Sequence, residues 1–380
     1  MRLHVHHVLL SLEPGGLENG VVNIVNGLDP TLFRSSVCCL KRSGAFASRI
    51  QRDDVEVQSM GLGQGNDWRL PLRLARLFRA SRPDIVHTRN VESFFYAGVA
   101  ARLAGVPVLV HSEHGRTFDD RPLRFHAQRV LSRGADGIFA VSSQLRDDLV
   151  RHVGLPARRV DVLHNGVDHR RFASADRRTA RAALGLPEQA FVVGSVGRLA
   201  AVKNYPMLLR ACAALRADDI WLVLAGEGPE RSTLERLVEE LGLAGRVRLL
   251  GHRDDVSQVL AALDVFALPS RSEGMSNTLL EAMAAGLPAV VTRVGGNPEI
   301  LRDAIDGELV GDDDAAAFAQ ALGRLARDPS RRAAMGESAR RRVAEAFSIE
   351  AMVERYARYY LKHFARARGS APSAASEAVP

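Results

Sequence analysis

Two glutamates, Glu273 and Glu281, are separated by seven residues in SRSEGMSNTLLEAMAAGLPAVVTRVGGNPEI, residues 270–300. The residues around them say what chemistry such a pair can do. Val265 to Leu268 is an apolar run of strand length, Pro269 to Ser276 supplies turn formers, and Asn277 to Ala285 has helical spacing until Gly286-Leu287-Pro288 stops it. Glu273 therefore precedes a helix and Glu281 lies inside it. A helix N-terminus leaves backbone N–H groups unpaired at the positive end of its dipole, which suits a phosphate, while carboxylates beside it accept hydrogen bonds from sugar hydroxyls. Phosphate and sugar together point to a nucleotide sugar. A helix with a solvated acid would carry the same two residues, so the rest of the chain has to decide.

A second constellation is basic. GSVGRLAAVKN puts Gly197 and Arg198 just after an apolar run and Lys203 at the expected start of the next helix. Arg supplies a planar fork of donors and Lys a point charge, a combination that would neutralise a departing nucleoside diphosphate. Two solvated surface cations are the plain alternative. Nearer the N-terminus, LLSLEPGGLE sets Gly15-Gly16 between the first apolar run and a helix expected from about Leu17, where backbone can approach a ligand closely. Acid runs at Asp53-Asp54, Asp119-Asp120 and Asp312 to Asp314 could bridge a metal to a diphosphate. No metal is expected, because Asp312 to Asp314 read as a helix cap and first turn and the two cations can do the neutralising.

These residues need a scaffold that presents loops at strand ends. LHVHHVLL, SSVCCL, DIVHT, PVLVHSEH, DGIFAVS and RVDVLHNG read as strands with helical patterns between most of them, and AFVVGSVG, IWLVLAG, RVRLLG, DVFALPS and PAVVTRV repeat the theme from about Ala173. Such alternation predicts α/β domains with parallel sheets and crossover helices, and open parallel sheets bind ligands at the C-terminal ends of their strands. The expected division is a first domain over residues 1–168, a second over 169–348, a returning helix over 349–366 and a disordered tail over 367–380, rich in small and polar residues.

Taken as a set, Ser270 to Glu299, Gly197 to Lys203 and Gly15 to Glu18 resemble the motifs of the family-four retaining glycosyltransferases. The resemblance covers nearly the whole chain, and VHTRN at 86–90 and SEHGR at 112–116 look like the branch that serves bacterial exopolysaccharide assembly. It implies the GT-B fold, two Rossmann-like doubly wound domains facing a cleft, with the last helix crossing back onto the first domain. It also implies transfer of a sugar from a nucleoside diphosphate sugar to a hydroxyl of a glycan or lipid-linked acceptor, without a cofactor. In that reading Arg198 and Lys203 stabilise the leaving group, Glu273 holds sugar hydroxyls, and a donor phosphate oxygen helps to deprotonate the acceptor. Gly15, Gly16, Gly197 and the segment Gly274, Met275, Ser276, Asn277, Thr278 meet the donor, and Glu281 binds the ribose. His114, in HSEHG, matches a family histidine that contacts the donor sugar; His111, earlier in the strand, is a weaker candidate that could equally be packed, and His87 is a weaker candidate for the acceptor side. GHRDDV at 251–256 and AGEGPE at 225–230 lie where the family touches the base, though ordinary surface turns would look alike. A sugar-nucleotide epimerase of the same architecture is the alternative.

Composition narrows the remaining classes. The chain has 380 residues, 46% of them hydrophobic, and no apolar run approaches the roughly 20 residues that cross a bilayer. The N-terminus lacks the small-residue cleavage site of a signal peptide, so a cytoplasmic protein is expected. Cys38, Cys39 and Cys212 cannot build a disulfide framework, and no zinc site is expected from them. A net charge of +7 suits an acidic partner. Nucleic acid is disfavoured, since no aromatic cluster accompanies the charge. An anionic membrane surface is a candidate, because WRLPLRLARLFRASR, residues 68–82, interleaves Leu and Phe with Arg as an interfacial helix would. The same leucines would equally serve a helix packed on a sheet.

Overall fold

The computed structural model describes residues 2–115, 122–172, 176–215 and 220–369. The chain divides into two compact units, Met1–Asn165 with Ile349–Pro380, and Gly166–Ser348. In the first unit the apolar runs become β1 (Leu3–Leu9), β2 (Phe33–Cys39), β3 (Glu56–Ser59), β4 (Ile85–Arg89), β5 (Val108–Glu113), β6 (Gly137–Ala140) and β7 (Val160–Val162). All pair in parallel, in the order β3-β2-β1-β4-β5-β6-β7. Helices on both faces of a parallel sheet bury its strands completely, which is why β1 is buried at every position despite three histidines. The edge strand β3 escapes the sequence reading because its EVQS is polar and half-exposed.

On one face the helix Leu70–Ser81 buries Leu70, Leu74, Ala75 and Phe78. On the other the helix Gly16–Gly27 buries Val21, Val22, Ile24 and Val25, and beside it lies the helix Ile349–Ala367. Its Met352, Val353, Tyr356, Tyr359, Tyr360 and Phe364, spaced three and four apart, pack with Val5, Ile85, Val108, Val110 and Phe139. Each such side chain contributes about 1.5 to 3 kcal/mol by leaving water. The tail from residue 370 lies outside the described residues.

The second unit repeats the winding. β8 (Phe191–Val196), β9 (Ile220–Ala225), β10 (Val247–Gly251), β11 (Val265–Leu268), β12 (Ala289–Thr292) and β13 (Gly307–Val310) form a parallel sheet in the order β10-β9-β8-β11-β12-β13. Its core joins Val193, Leu222 and Leu224 to Leu208 and Leu209 of the helix Tyr205–Ala214 and Phe318 and Leu322 of the helix Ala315–Arg327. Asp314 caps the latter by accepting from the Ala317 N–H at 2.8 Å, the cap its sequence predicts. In both sheets the order reverses beside the first strand, between β1 and β4 and between β8 and β11. Loops leaving the C-terminal ends of those strands diverge there and leave room for a ligand.

Candidate active site

The loops after β8 and β11 carry the basic and acidic residues singled out above. Lys203 closes a short 3-10 turn, Ala201–Lys203, rather than opening a helix. The reason is Asn204, whose left-handed φ of 52° breaks the chain direction before Tyr205–Ala214 begins. Across the switch point the Arg271 N–H donates to the Val202 carbonyl at 2.8 Å, tying the two loops together. Lys203 Nζ then donates to Glu273 Oε1 at 2.6 Å, and Ser270 Oγ donates to the same oxygen at 2.6 Å. The side chains are 18% and 10% exposed, so neither charge is well hydrated and each depends on the other. Ser270 was not among the residues expected from sequence.

The Ser270–Gly274 loop is held from a third direction by β12 and the turn that follows it. Thr292 Oγ1 donates to the Ser270 carbonyl at 2.5 Å, and the Gly296 N–H donates to the Gly274 carbonyl at 2.9 Å. Gly295, at φ 56°, lies so close that a Cβ would collide with the Glu273 carbonyl. Gly295-Gly296 is therefore a clamp on the glutamate loop. Beyond it Ser276 caps the helix Asn277–Ala284, its Oγ accepting from the Leu279 N–H at 3.2 Å. Met275 and Ser276 are buried, Gly274, Asn277 and Thr278 are half-buried, and Glu281 is half-buried within the helix. Gly197 stands over the Tyr205 hydroxyl, and burial pushes that phenol up to about 12. Arg198 is exposed and makes no ion pair among the described residues. A lysine–glutamate pair, an uncompensated arginine and a capped helix N-terminus thus meet at one sheet end.

In the first unit, Gly15 is the N-cap of Gly16–Gly27, so this helix starts one residue earlier than expected. Gly15 itself has an extended backbone, and the space where its Cβ would be is taken by the Glu18 carboxyl. Burial raises the pKa of that carboxyl, with its own backbone N–H acting in opposition. His114 follows β5, its N–H donating to Asn90 Oδ1 at 3.0 Å, with Asn90 left-handed at φ 59°. His111 is fully buried and stacks on Phe94 at 3.9 Å between ring centroids, and His87 is fully buried within the sheet. Both weaker histidine candidates are packed, as lone strand histidines usually are. The structure therefore brings Lys203 and Glu273 into contact, sets Gly197 and Gly274–Glu281 around them, and carries Gly15, Gly16 and His114 on the first unit.

Of the acid runs, Asp54 pairs with Arg2 and Arg52, Asp313 with Arg271, and Asp119-Asp120 lie outside the described residues. The turns after β9 and β10 pair locally, Glu227 with Arg231 at 2.7 Å and Arg253 with Asp255 at 2.6 Å, and the Gly226 N–H donates to the Gly251 carbonyl at 2.7 Å. A cavity of about 360 Å³ elsewhere in the second unit is lined by Glu308, Arg324 and Arg331 and includes none of the expected residues. No helix among the described residues is long and apolar enough to cross a membrane.

Comparison with known proteins decides the family. Residues 14–171 match the model described as Glycosyltransferase Family 4, and residues 176–342 match Glycosyl transferases group 1. A D-inositol 3-phosphate glycosyltransferase of Saccharomonospora viridis is 34% identical over 313 residues, covering 76% of this chain and 72% of that protein. The chain belongs to the family-four glycosyltransferases. An Escherichia coli relative, UDP-Gal:alpha-D-GlcNAc-diphosphoundecaprenol alpha-1,3-galactosyltransferase, is 29% identical over 313 residues, covering 78% of this chain and 79% of its own length. Among solved structures, HepE of Anabaena in complex with UDP and glucose has a TM-score of 0.83 at 23% identity, covering 94% of this glycosyltransferase and 99% of HepE. A glycosyltransferase of Rickettsia africae has a TM-score of 0.85 at 18% identity, covering 95% and 98%. These likenesses identify the fold as GT-B, so the doubly wound expectation holds.

Proposed function

We propose that this glycosyltransferase takes a nucleoside diphosphate sugar as donor and moves the sugar, with retention, to a hydroxyl of a glycan or lipid-linked acceptor. The observation that carries the reading is the Lys203–Glu273 pair at the β8/β11 switch point, beside Arg198 and the start of the helix Asn277–Ala284. A diphosphate arriving there would attract Lys203 and Arg198 and release Glu273 to accept from sugar hydroxyls. The helix N-terminus and the backbone of Gly274 to Thr278 would stabilise the remaining phosphate charge, and Glu281 would accept from the ribose. Electrostatic stabilisation of the departing diphosphate needs no metal, because two cations face it. Support from relatives is chemical. The Escherichia coli relative is named for a UDP-galactose donor and a diphosphoundecaprenol acceptor, and HepE has been solved with UDP-glucose. Both fit a nucleotide-sugar donor, and the first also fits a lipid-linked glycan acceptor; a place in exopolysaccharide synthesis rests on the resemblance of VHTRN and SEHGR. The relatives named here are transferases, so transfer and not epimerisation is carried forward.

The test is a panel of nucleoside diphosphate sugars scored first by thermal stabilisation and then by transfer. A ligand at 100 times its Kd stabilises by roughly 2.7 kcal/mol, which a melting curve resolves. One sugar nucleotide should raise Tm and be consumed with release of the diphosphate and formation of an alpha-linked product. Isomerisation of the sugar without release, or no stabilisation by any member, would overturn the reading. Glu281→Ala should weaken donor binding about tenfold, the loss of one hydrogen bond to a charged group.

A lipid-linked acceptor would require work at a membrane surface, and the helix Leu70–Ser81 supplies a modest docking face. Most of its apolar stripe is spent on the sheet, which corrects the picture of a freely interfacial helix. What remains is Trp68, 84% exposed, and Leu72, flanked by exposed Arg69, Arg73, Arg76 and Arg79. Salt-sensitive co-sedimentation with anionic liposomes, lost on Trp68→Ala, is the expected result. Sedimentation that ignores both salt and the substitution would remove the membrane from the account.

A further inference from the structure

Tyr360 of the C-terminal helix, His87 of β4, Ser112 of β5 and His114 beyond it lie in one unit and touch in sequence. Tyr360 Oη is 2.7 Å from His87 Nδ1, His87 Nε2 is 2.9 Å from Ser112 Oγ, and Ser112 Oγ is 3.0 Å from His114 Nε2. With every group in the row both donating and accepting, a single choice of direction sets every proton. In one direction Tyr360 donates to His87 Nδ1, the His87 Nε2–H donates to Ser112, and Ser112 donates to His114 Nε2. His114 then carries its own proton on Nδ1. In the opposite direction every donor becomes an acceptor and His114 is protonated on Nε2.

Arg89 selects the direction. Its side chain is 1% exposed and forms no ion pair among the described residues, and its Nη1 donates to His7 Nδ1 at 3.0 Å. The guanidinium also faces Tyr360, offsetting part of the rise that burial causes in that phenol. A guanidinium has donors only. Arg89 offers the phenol O–H no acceptor, whereas His87 Nδ1 lies 2.7 Å away, so the O–H points to His87. The reverse arrangement would leave the buried Tyr360 O–H with no acceptor among the described residues, a cost comparable to a lost hydrogen bond. Arg89 also keeps the row neutral. Burial first, then the Arg89 charge, holds both His87 and His114 well below the usual imidazole value.

We infer that Tyr360, His87 and Ser112 are positioning residues that hold His114 as its Nδ1–H tautomer, so that the ring offers a substrate a hydrogen-bond donor and no acceptor. The His114 Nδ1 is buried with no hydrogen-bond partner among the described residues, while its backbone N–H is already fixed by Asn90. An oxygen lone pair of a sugar is the chemistry that matches. This consequence rests on the role proposed for His114 above; the tautomer itself does not.

The experiment is imidazole nitrogen NMR on the full chain labelled at histidine, with His114 assigned by its loss in His114→Asn, read beside transfer kinetics. In the wild type His114 should show a pyrrole-type Nδ1 and a pyridine-type Nε2. Ser112→Ala, and independently Tyr360→Phe, which keeps the packed ring, should move both resonances towards a mixture of tautomers. Ser112→Ala should also lower kcat about threefold to tenfold with little change in donor KM. His114→Asn keeps a donor near the Nδ1 position but has no tautomer to choose, so adding Ser112→Ala to it should slow transfer no further. A pyrrole-type Nε2 in the wild type, or resonances indifferent to both substitutions, would overturn the inference. A tautomer that shifts as expected while transfer ignores Ser112→Ala and His114→Asn upholds the relay and sinks the proposed role of His114 instead.

Discussion

The two sheets of this glycosyltransferase share one strand order and one place where it reverses, yet they furnish that place in opposite ways. The second unit collects formal charges there: Arg198 exposed, and Lys203 and Glu273 paired at 2.6 Å. The first unit collects imidazoles and hydroxyls, neutralised by burial around Arg89. Charge neutralisation suits a diphosphate, and neutral directional hydrogen bonding suits a sugar. The same winding thus carries two different sets of side chains at one place, because chemistry resides in what each loop carries and not in the sheet.

Acid should separate the two units most strongly. Of the twelve histidines only His169 and His252 fall in the second unit. In the first, burial brings His6 down to about 3 and holds His7, His87 and His114 well below 6.5. A histidine whose folded value lies below its unfolded one favours the neutral form. Its contribution is complete above about pH 6.5 and falls by roughly 1.4 kcal/mol per pH unit as pH drops towards the folded value. Four such groups should loosen the first unit between about pH 6 and 4.5. Hydrogen exchange should then lose protection in β1, β4 and β5 before β8, β11 and β12, and simultaneous loss would break the contrast.

A smaller effect is expected from separating the ion pair. Lys203→Ala and Glu273→Ala each leave a poorly hydrated charge unpaired, costing about 1 to 3 kcal/mol, and each should lower turnover at least about tenfold. The double variant should be less destabilised than the sum of the two, because the second deletion removes the stranded charge. Strict additivity in denaturant melts would mean that the contact carries no coupling. Arg198→Ala sharpens the point with the least structural disturbance. An exposed side chain should change stability by less than about 0.5 kcal/mol, while transfer from the nucleotide sugar falls. Unchanged transfer would remove Arg198 from the site.

Much of this was legible in the sequence. The strands that carry apolar runs were readable, and the helix beginning at Asn277 followed from the spacing after the turn formers. β3 was not, since an exposed polar edge lacks the apolar run that marks a buried strand. The Lys203–Glu273 contact joins residues 70 apart, and nothing local specifies it. Crossover winding does, by setting β11 beside β8. Gly295-Gly296 braces the Glu273 loop, and no local spacing specifies that contact. The histidine row was invisible for a similar reason: His87, Ser112, His114 and Tyr360 come from three elements, and each alone reads as packing. Glu18 was part of a recognisable motif, but its carboxyl lying over Gly15 was not legible, because a side chain's fold-back leaves no trace in spacing.

The central claim is that the donor diphosphate is held at the β8/β11 switch point of the second unit. Hydrogen exchange with and without the nucleotide sugar that best stabilises the enzyme tests it most directly. Protection should rise in residues 197–203 and 270–281, and should be lost from both segments together in the Arg198→Ala/Lys203→Ala double variant. Protection that leaves these two segments untouched, or that survives in the double variant, would contradict the account.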